Sequence, residues 1–163
     1  MCIRDRLSEV LHELNNIRLS ASVAMGIAGN INQASAILGI PKIAMVSHSS
    51  NTVTLSAETI REDDCDLVIR MISVGQPHRA IPVTGALCTA VAARIKGTLV
   101  NQLTKTRSIE RSIRIAHPSG VIEVNADVVQ QNGSWHSRSA SIDRTARRLM
   151  DGIVYVSTPD SDG

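Results

Sequence analysis

Residues 83–95, Val-Thr-Gly-Ala-Leu-Cys-Thr-Ala-Val-Ala-Ala-Arg-Ile, are apolar or small on every side except at Thr84, Thr89 and Arg94. Pro82 and Thr84 open the segment and Gly97 closes it, which are the signals that start and stop a helix. A helix with a polar stripe lies on a surface, whereas one that is greasy all round must be enclosed by other elements. The small side chains let those elements approach its axis closely. The rest of the chain is therefore expected to wrap around this helix.

What flanks it is of strand length. Pro41 introduces the compact apolar run 42–47, residues 52–57 alternate with period two, and 66–73 follows the acidic Glu62-Asp63-Asp64 as the strongest strand pattern. Residues 112–116, 121–129, 137–142 and 152–156 read as further strands, with turns at His117-Pro118-Ser119-Gly120 and Gln131-Asn132-Gly133. Before Pro41 the period changes. Leu7, Val10, Leu11, Leu14 and Ile17 recur at helical steps, opposite Ser8, Glu9, Glu13, Asn15 and Asn16. Met25-Gly26 ends that amphipathic helix, and 31–38 carries a shorter helical pattern that stops at Gly39.

The expected fold is α+β: a rolled, mostly antiparallel sheet around a central buried helix, preceded by linking helices. Met1-Cys2-Ile3-Arg4-Asp5-Arg6 reads as a translated adapter and is set apart, with the natural start expected to be missing. The expected divisions are then 1–6, a helical linker 7–40, a domain 41–156 and a polar tail 157–163.

At 163 residues such a chain buries roughly 70% of its unfolded surface, so a core needs no disulfide or metal staple. Seventeen basic against fifteen acidic side chains make no phosphate-neutralising field, and one Trp with one Tyr and no Phe makes no platform for stacking bases. Nucleic acid is not an expected partner. No apolar run reaches the length of a membrane span and no signal peptide is seen, so a cytoplasmic protein is expected. Cys2, Cys65 and Cys88 are odd in number and widely spaced, and the five histidines are scattered, which indicates neither a disulfide framework nor a metal site.

The most informative stretch for chemistry is 73–86. A strand passes through Ser73, Gly75, Gln76, His78 and Arg79 into the first turn of the enclosed helix at Thr84, Gly85 and Ala86. First-turn amides lack intrahelical acceptors and sit at the positive end of the helix dipole, so the backbone of 83–86 can hold a carboxylate. The equally available reading is structural: Thr84 caps the helix, Gly85 permits close packing, and His78 and Arg79 face solvent. Ser119 could reach a ligand carboxylate if its turn faced the same pocket, though a plain hairpin turn explains it as well. Cys88, one turn into an apolar helix, reads as a core-packing thiol, and Cys65, amid acidic neighbours, as a poor thiolate. Arg144, Arg147 and Arg148 read as a solvated face. No Ser-x-x-Lys, Gly-x-Ser-x-Gly, P-loop or Gly-x-Gly-x-x-Gly stands in a plausible context, so acyl transfer and nucleotide chemistry lack their parts.

The run 68–88, Val-Ile-Arg-Met-Ile-Ser-Val-Gly-Gln-Pro-His-Arg-Ala-Ile-Pro-Val-Thr-Gly-Ala-Leu-Cys, resembles the C-terminal half of PrpF-family proteins, the 2-methylaconitate cis-trans isomerases and 4-oxalomesaconate tautomerases. Pro41-Lys42-Ile43-Ala44-Met45-Val46, His117-Pro118-Ser119-Gly120 and Arg144-Thr145-Ala146-Arg147-Arg148-Leu149-Met150-Asp151-Gly152 agree in the same order, and Met25-Gly26 sits where that family's linking helices end. The resemblance implies a diaminopimelate-epimerase-like fold of two similar domains with the active site in the cleft between them. It also implies cofactor-free movement of a proton and a double bond in a small unsaturated di- or tricarboxylate.

In that family a Lys and a Cys of the first domain serve as acid and base, and this chain matches only the second domain. In related epimerases the second helix also begins with a thiol; here that position falls at about Pro82, with Val83 next, so no catalytic residue is carried over. The resemblance assigns Ser73, Gly75, Gln76, His78, Thr84, Gly85, Ala86 and, more weakly, Ser119 to substrate binding. Its expected partners are the carboxylate and the missing N-terminal domain, and a homodimer is allowed for. The reading from a different class is a non-catalytic metabolite-binding or assembly domain of the same fold.

Overall fold

The computed structural model describes residues 3–105, 108–143 and 147–155, with the backbone alone for residues 3–7. Met1, Cys2, Arg144, Val156 and the expected tail 157–163 lie outside the described residues.

Helix α1 spans Ile3–Ala24, so residues 3–6 continue the same helix as those that follow. Gly26, at φ 71°, ends it, donating to the Val23 carbonyl at 3.0 Å. Helix α2 (Ile31–Ala36) starts at Asn30, whose side chain accepts the Gln33 amide at 2.9 Å, while the Gln33 side chain accepts the Gly29 amide at 2.9 Å. Leu19, Ala28 and Ala34 form a small apolar cluster between the two helices, and Arg18 spans it to the Ile37 carbonyl at 2.9 Å. The amphipathic stripe expected of α1 is only partly used. Val10 and Ile17 are exposed, because among the described elements α1 packs mainly on α2 and the strand at 43–48.

The sheet comprises β1 (Ile43–His48), β4 (Leu67–Ser73), β5 (Gln76–Pro77), β6 (Ile113–His117), β7 (Gly120–Gln131) and β8 (Ser134–Ile142), in the order β1-β4-β6-β7-β8 with β5 on the end of β4. Every pairing is antiparallel except β4 with β6, which is parallel at Leu67↔Ile115 and Val68↔Ala116. A parallel pair needs a crossover, and here it carries α3 (Val83–Arg94) and the short α4 (Leu99–Leu103). The β7–β8 hairpin turns at Asn132 and Gly133, both at positive φ, as the Asn-Gly dipeptide predicts.

The sheet curls into a half-barrel around α3. Ala86, Ala90 and Ala93 pack into a core made by Ile69 and Met71 of β4, Ile113 and Ile115 of β6, and Val124, Ala126 and Val128 of β7. Alanines on the helix let these branched side chains seat directly against its backbone. The enclosure is one-sided among the described residues. Ala86, Thr89, Ala90 and Ala93 are buried, while Val83, Thr84 and Cys88 are exposed and Leu87 and Val91 half-buried.

Two expected strands differ. Residues 52–57 form a strand only at β2 (Thr52–Val53), which pairs with β3 (Thr59–Ile60). Between them the Thr54 hydroxyl accepts the Glu58 amide at 3.1 Å and Ala57 takes φ 64°, so a short polar side chain closes a turn where period-two alternation suggested an extended run. Residues 152–155 are in no strand, and Ile153, Val154 and Tyr155 are exposed.

Candidate functional site

The expected site residues converge on one hairpin and the helix that follows it. Ser73 at the end of β4 pairs with Gln76 of β5, and Val74 and Gly75 form the two-residue turn between them at φ 52° and 70°. Positive φ at both central positions defines the turn type that suits hairpin twist. Gly75 tolerates it; Val74, β-branched and exposed, is held in a strained conformation. The His78 amide continues the ladder to the Met71 carbonyl at 2.8 Å. Ile81, buried in the main core, then anchors the chain before Pro82.

Pro82 is the N-cap of α3 and offers no side-chain cap bond. Thr84 therefore lies inside the first turn and does not cap the helix. The first in-helix bond runs from the Ala86 amide to the Pro82 carbonyl at 2.9 Å, and the Ala86 side chain is fully buried. Ala86 belongs to the core, which leaves the amides of Val83, Thr84 and Gly85 as the first-turn donors. A Cβ on Gly85 would lie 2.7 Å from Met71 Cε, so any larger residue here would push aside the end of that side chain. A cavity of about 10 Å³ behind the hairpin, lined by Ser73, Val74 and Gly75 with Arg18 and Lys42, has room for one water.

Ser119 does not present a free hydroxyl: it donates to the Arg79 carbonyl. The His117 imidazole accepts the Ser119 amide at Nδ1, 3.1 Å away, and the Pro118 carbonyl accepts the Leu55 amide at 2.7 Å. Burial pushes the His117 pKa below its ordinary value, and the Arg70 cation adds to the effect. The His-Pro-Ser-Gly turn thus braces the segment leading into α3.

Sequence reasoning missed the ion pair beneath this platform. The Asp66 carboxylate, 2% exposed, receives Arg114 Nη2 at 3.1 Å, Nε at 3.2 Å and the Arg114 amide at 2.9 Å. Arg114 Nη1 also donates to the Asp63 carbonyl at 2.8 Å, and hydrogen bonding to Asp66 holds the guanidinium pKa above its usual value. The partners lie 48 positions apart, so no local pattern announced them. Arg94, the one charge in α3, ties its C-terminal end to the Ser108 and Arg111 carbonyls, each at 2.6 Å, and to the Asn125 side chain at 2.9 Å.

The thiols divide differently than expected. Cys65 is fully buried, and burial, ahead of the Asp66 charge, raises its pKa. Cys88 is exposed on the open face of α3, because that side of the helix has no described element over it. Arg148 pairs with Asp151 at 3.2 Å with both side chains exposed.

The PrpF protein family model matches residues 4–157. The chain is 37% identical to the 2-methyl-aconitate isomerase of Shewanella oneidensis over 149 residues, which is 91% of this chain and 37% of that protein. It is 38% identical to the 3-methylitaconate isomerase of Eubacterium barkeri over 151 residues, 91% of this chain and 39% of that one. The crystal structure of methylitaconate-delta-isomerase superposes with a TM-score of 0.75 at 38% identity, over 88% of this chain and 37% of the other. The chain thus spans little more than a third of the length of the relatives it matches.

Proposed function

The chain belongs to the PrpF family, and from that premise we propose that it is the carboxylate-holding, C-terminal half of a cofactor-independent isomerase. The reaction shifts a proton, and with it a double bond, in a small unsaturated polycarboxylate. Names such as 2-methyl-aconitate isomerase and 3-methylitaconate isomerase among its relatives support that substrate class. In this reading the amides of Val83, Thr84 and Gly85 bind one carboxylate. Ser73, Gly75, Gln76 and His78 border it, and Ala86 and Ser119 serve through packing and bracing. None of these side chains moves the proton; that role falls to a Lys and a Cys in a preceding domain.

The observation that carries the reading is the start of α3. Its first turn has no side-chain cap, Val83 and Thr84 are exposed, and the strained Val74-Gly75 hairpin precedes it in the chain. Donors there meet an anion with the helix dipole behind them. The test is thermal stabilisation of the chain by millimolar cis-aconitate, which should raise Tm in proportion to occupancy. Thr84→Asp places a competing carboxylate at the same amides without harming the helix, and should abolish the rise. No rise in the unaltered chain, or an equal rise in the variant, overturns the binding role. Isomerase turnover by the chain alone overturns the division of labour.

A further inference from the structure

We propose that His117 is a positioning residue whose Nδ1 lone pair sets the geometry of the segment entering α3. The inference rests on the carboxylate reading for its purpose, since that segment leads to the proposed binding amides.

The geometry is a relay of three groups. An imidazole that accepts at Nδ1 carries its proton on Nε2, and His117 accepts the Ser119 amide there at 3.1 Å. That bond fixes the Ser119 backbone, so its hydroxyl reaches the Arg79 carbonyl from 40 positions away. Arg79 lies three residues before the Pro82 cap, so the bond ties the helix entry to the turn. A ring merely filling space would not need an orientation; this one has a bond to a backbone amide that only one of its two nitrogens can make.

The surroundings keep the ring neutral. His117 is buried, and the Arg70 guanidinium on β4, held by the Ile69 carbonyl and Thr52 hydroxyl at 2.9 Å each, disfavours a second cation. Its partner across β7 is Gly120, which carries no charge. The β2–β3 loop meets the turn through the Leu55 amide, and the α3 entry meets it through the Arg79 carbonyl. Protonation at Nδ1 would turn the acceptor into a donor facing another N–H, and the relay would break at its first link.

Two substitutions separate orientation from bulk. In His117→Asn the amide oxygen falls near the Nδ1 position and can accept the same N–H; in His117→Gln it falls near Nε2 and cannot. Hydrogen–deuterium exchange of the full chain at pH 7.5 reads the outcome. His117→Gln and Ser119→Ala should each speed exchange of the amides at 79–85 by about fivefold to tenfold, with β6 and β7 unchanged, and His117→Asn should match the unaltered chain. On acidification below the depressed His117 pKa, protection of 79–85 should fall in the unaltered chain and stay level in His117→Asn. Unchanged exchange in His117→Gln, failure of His117→Asn to restore protection, or loosening spread evenly through β6 and β7 would each overturn the proposal. The readout needs no ligand, so absence of cis-aconitate stabilisation sinks the carboxylate reading and leaves this result to stand or fall separately.

Discussion

Arg114 holds Asp66 through one edge of its guanidinium, Nη2 to Oδ1 at 3.1 Å and Nε to Oδ2 at 3.2 Å, while the Asp66 amide donates a further bond to the Arg114 carbonyl at 2.8 Å. The burial is unequal, the Asp66 side chain being 2% exposed and that of Arg114 34%. Losing the cation takes the opposite charge from a buried carboxylate, whereas losing the carboxylate leaves a cation that can turn to water. Arg114→Met is therefore expected to cost about 3 kcal/mol and Asp66→Asn about 1.5 kcal/mol. Urea unfolding measures both, and equal losses would contradict the role of burial.

Val74 offers a stabilising change. Its φ of 52° suits Asn or Gly and strains a β-branched side chain, and its side chain is largely in water. Val74→Asn should gain about 1 kcal/mol, read as a shift of the urea midpoint. A loss would show that the valine makes contacts that outweigh the strain.

The two described thiols should react at very different rates. Iodoacetamide at pH 8 is expected to label Cys88 within minutes and Cys65 only after urea is added, as followed by peptide mass spectrometry. Burial both shields Cys65 and raises its pKa, so less thiolate is present to react. Comparable labelling of the two in the folded chain would contradict the burial of Cys65.

Stability should depend on pH through His117. Its folded pKa is depressed, so between that value and the ordinary imidazole value of about 6.5 the unfolded chain binds more protons. Stability is thus fully present above about pH 6.5 and is lost as pH falls through the folded value. Urea midpoints at pH 7.5, 6.5 and 5.5 should decline in that order, and His117→Asn should flatten the decline. A flat profile in the unaltered chain would mean the imidazole titrates as freely in the folded state as in the unfolded one.

The parts of this fold legible in the sequence are those written in neighbouring residues. The α3 run, the Asn132-Gly133 turn and the β4 pattern each follow from local sterics and periodicity, and the family resemblance rested on the same run. What escaped was decided across the chain. Asp66 and Arg114 meet only because two strands run parallel. The Ser119 turn leaves a ligand contact and a plain hairpin both open, because nothing nearby announces that the Arg79 carbonyl takes the hydroxyl. The apolar run around Cys88 predicts a core thiol, but apolarity reports what a residue tolerates, not which side of the helix the described sheet covers. The short α4 begins at a Thr98 side-chain cap, which accepts the Asn101 amide at 3.1 Å; its five residues are too few for a period to show.

The parallel meeting of β4 and β6 has a mechanical consequence. Only Leu67↔Ile115 and Val68↔Ala116 are in register there, yet among the described residues that is the one strand pairing between the β1-β4-β5 half of the sheet and the β6-β7-β8 half. Each half is laced by hairpins, but this seam closes a long crossover and so bears the greater entropic cost of closure. Under heat or a pulling force the molecule should part along that line, and the Asp66–Arg114 clasp sits at its upper end like the slider on a zip.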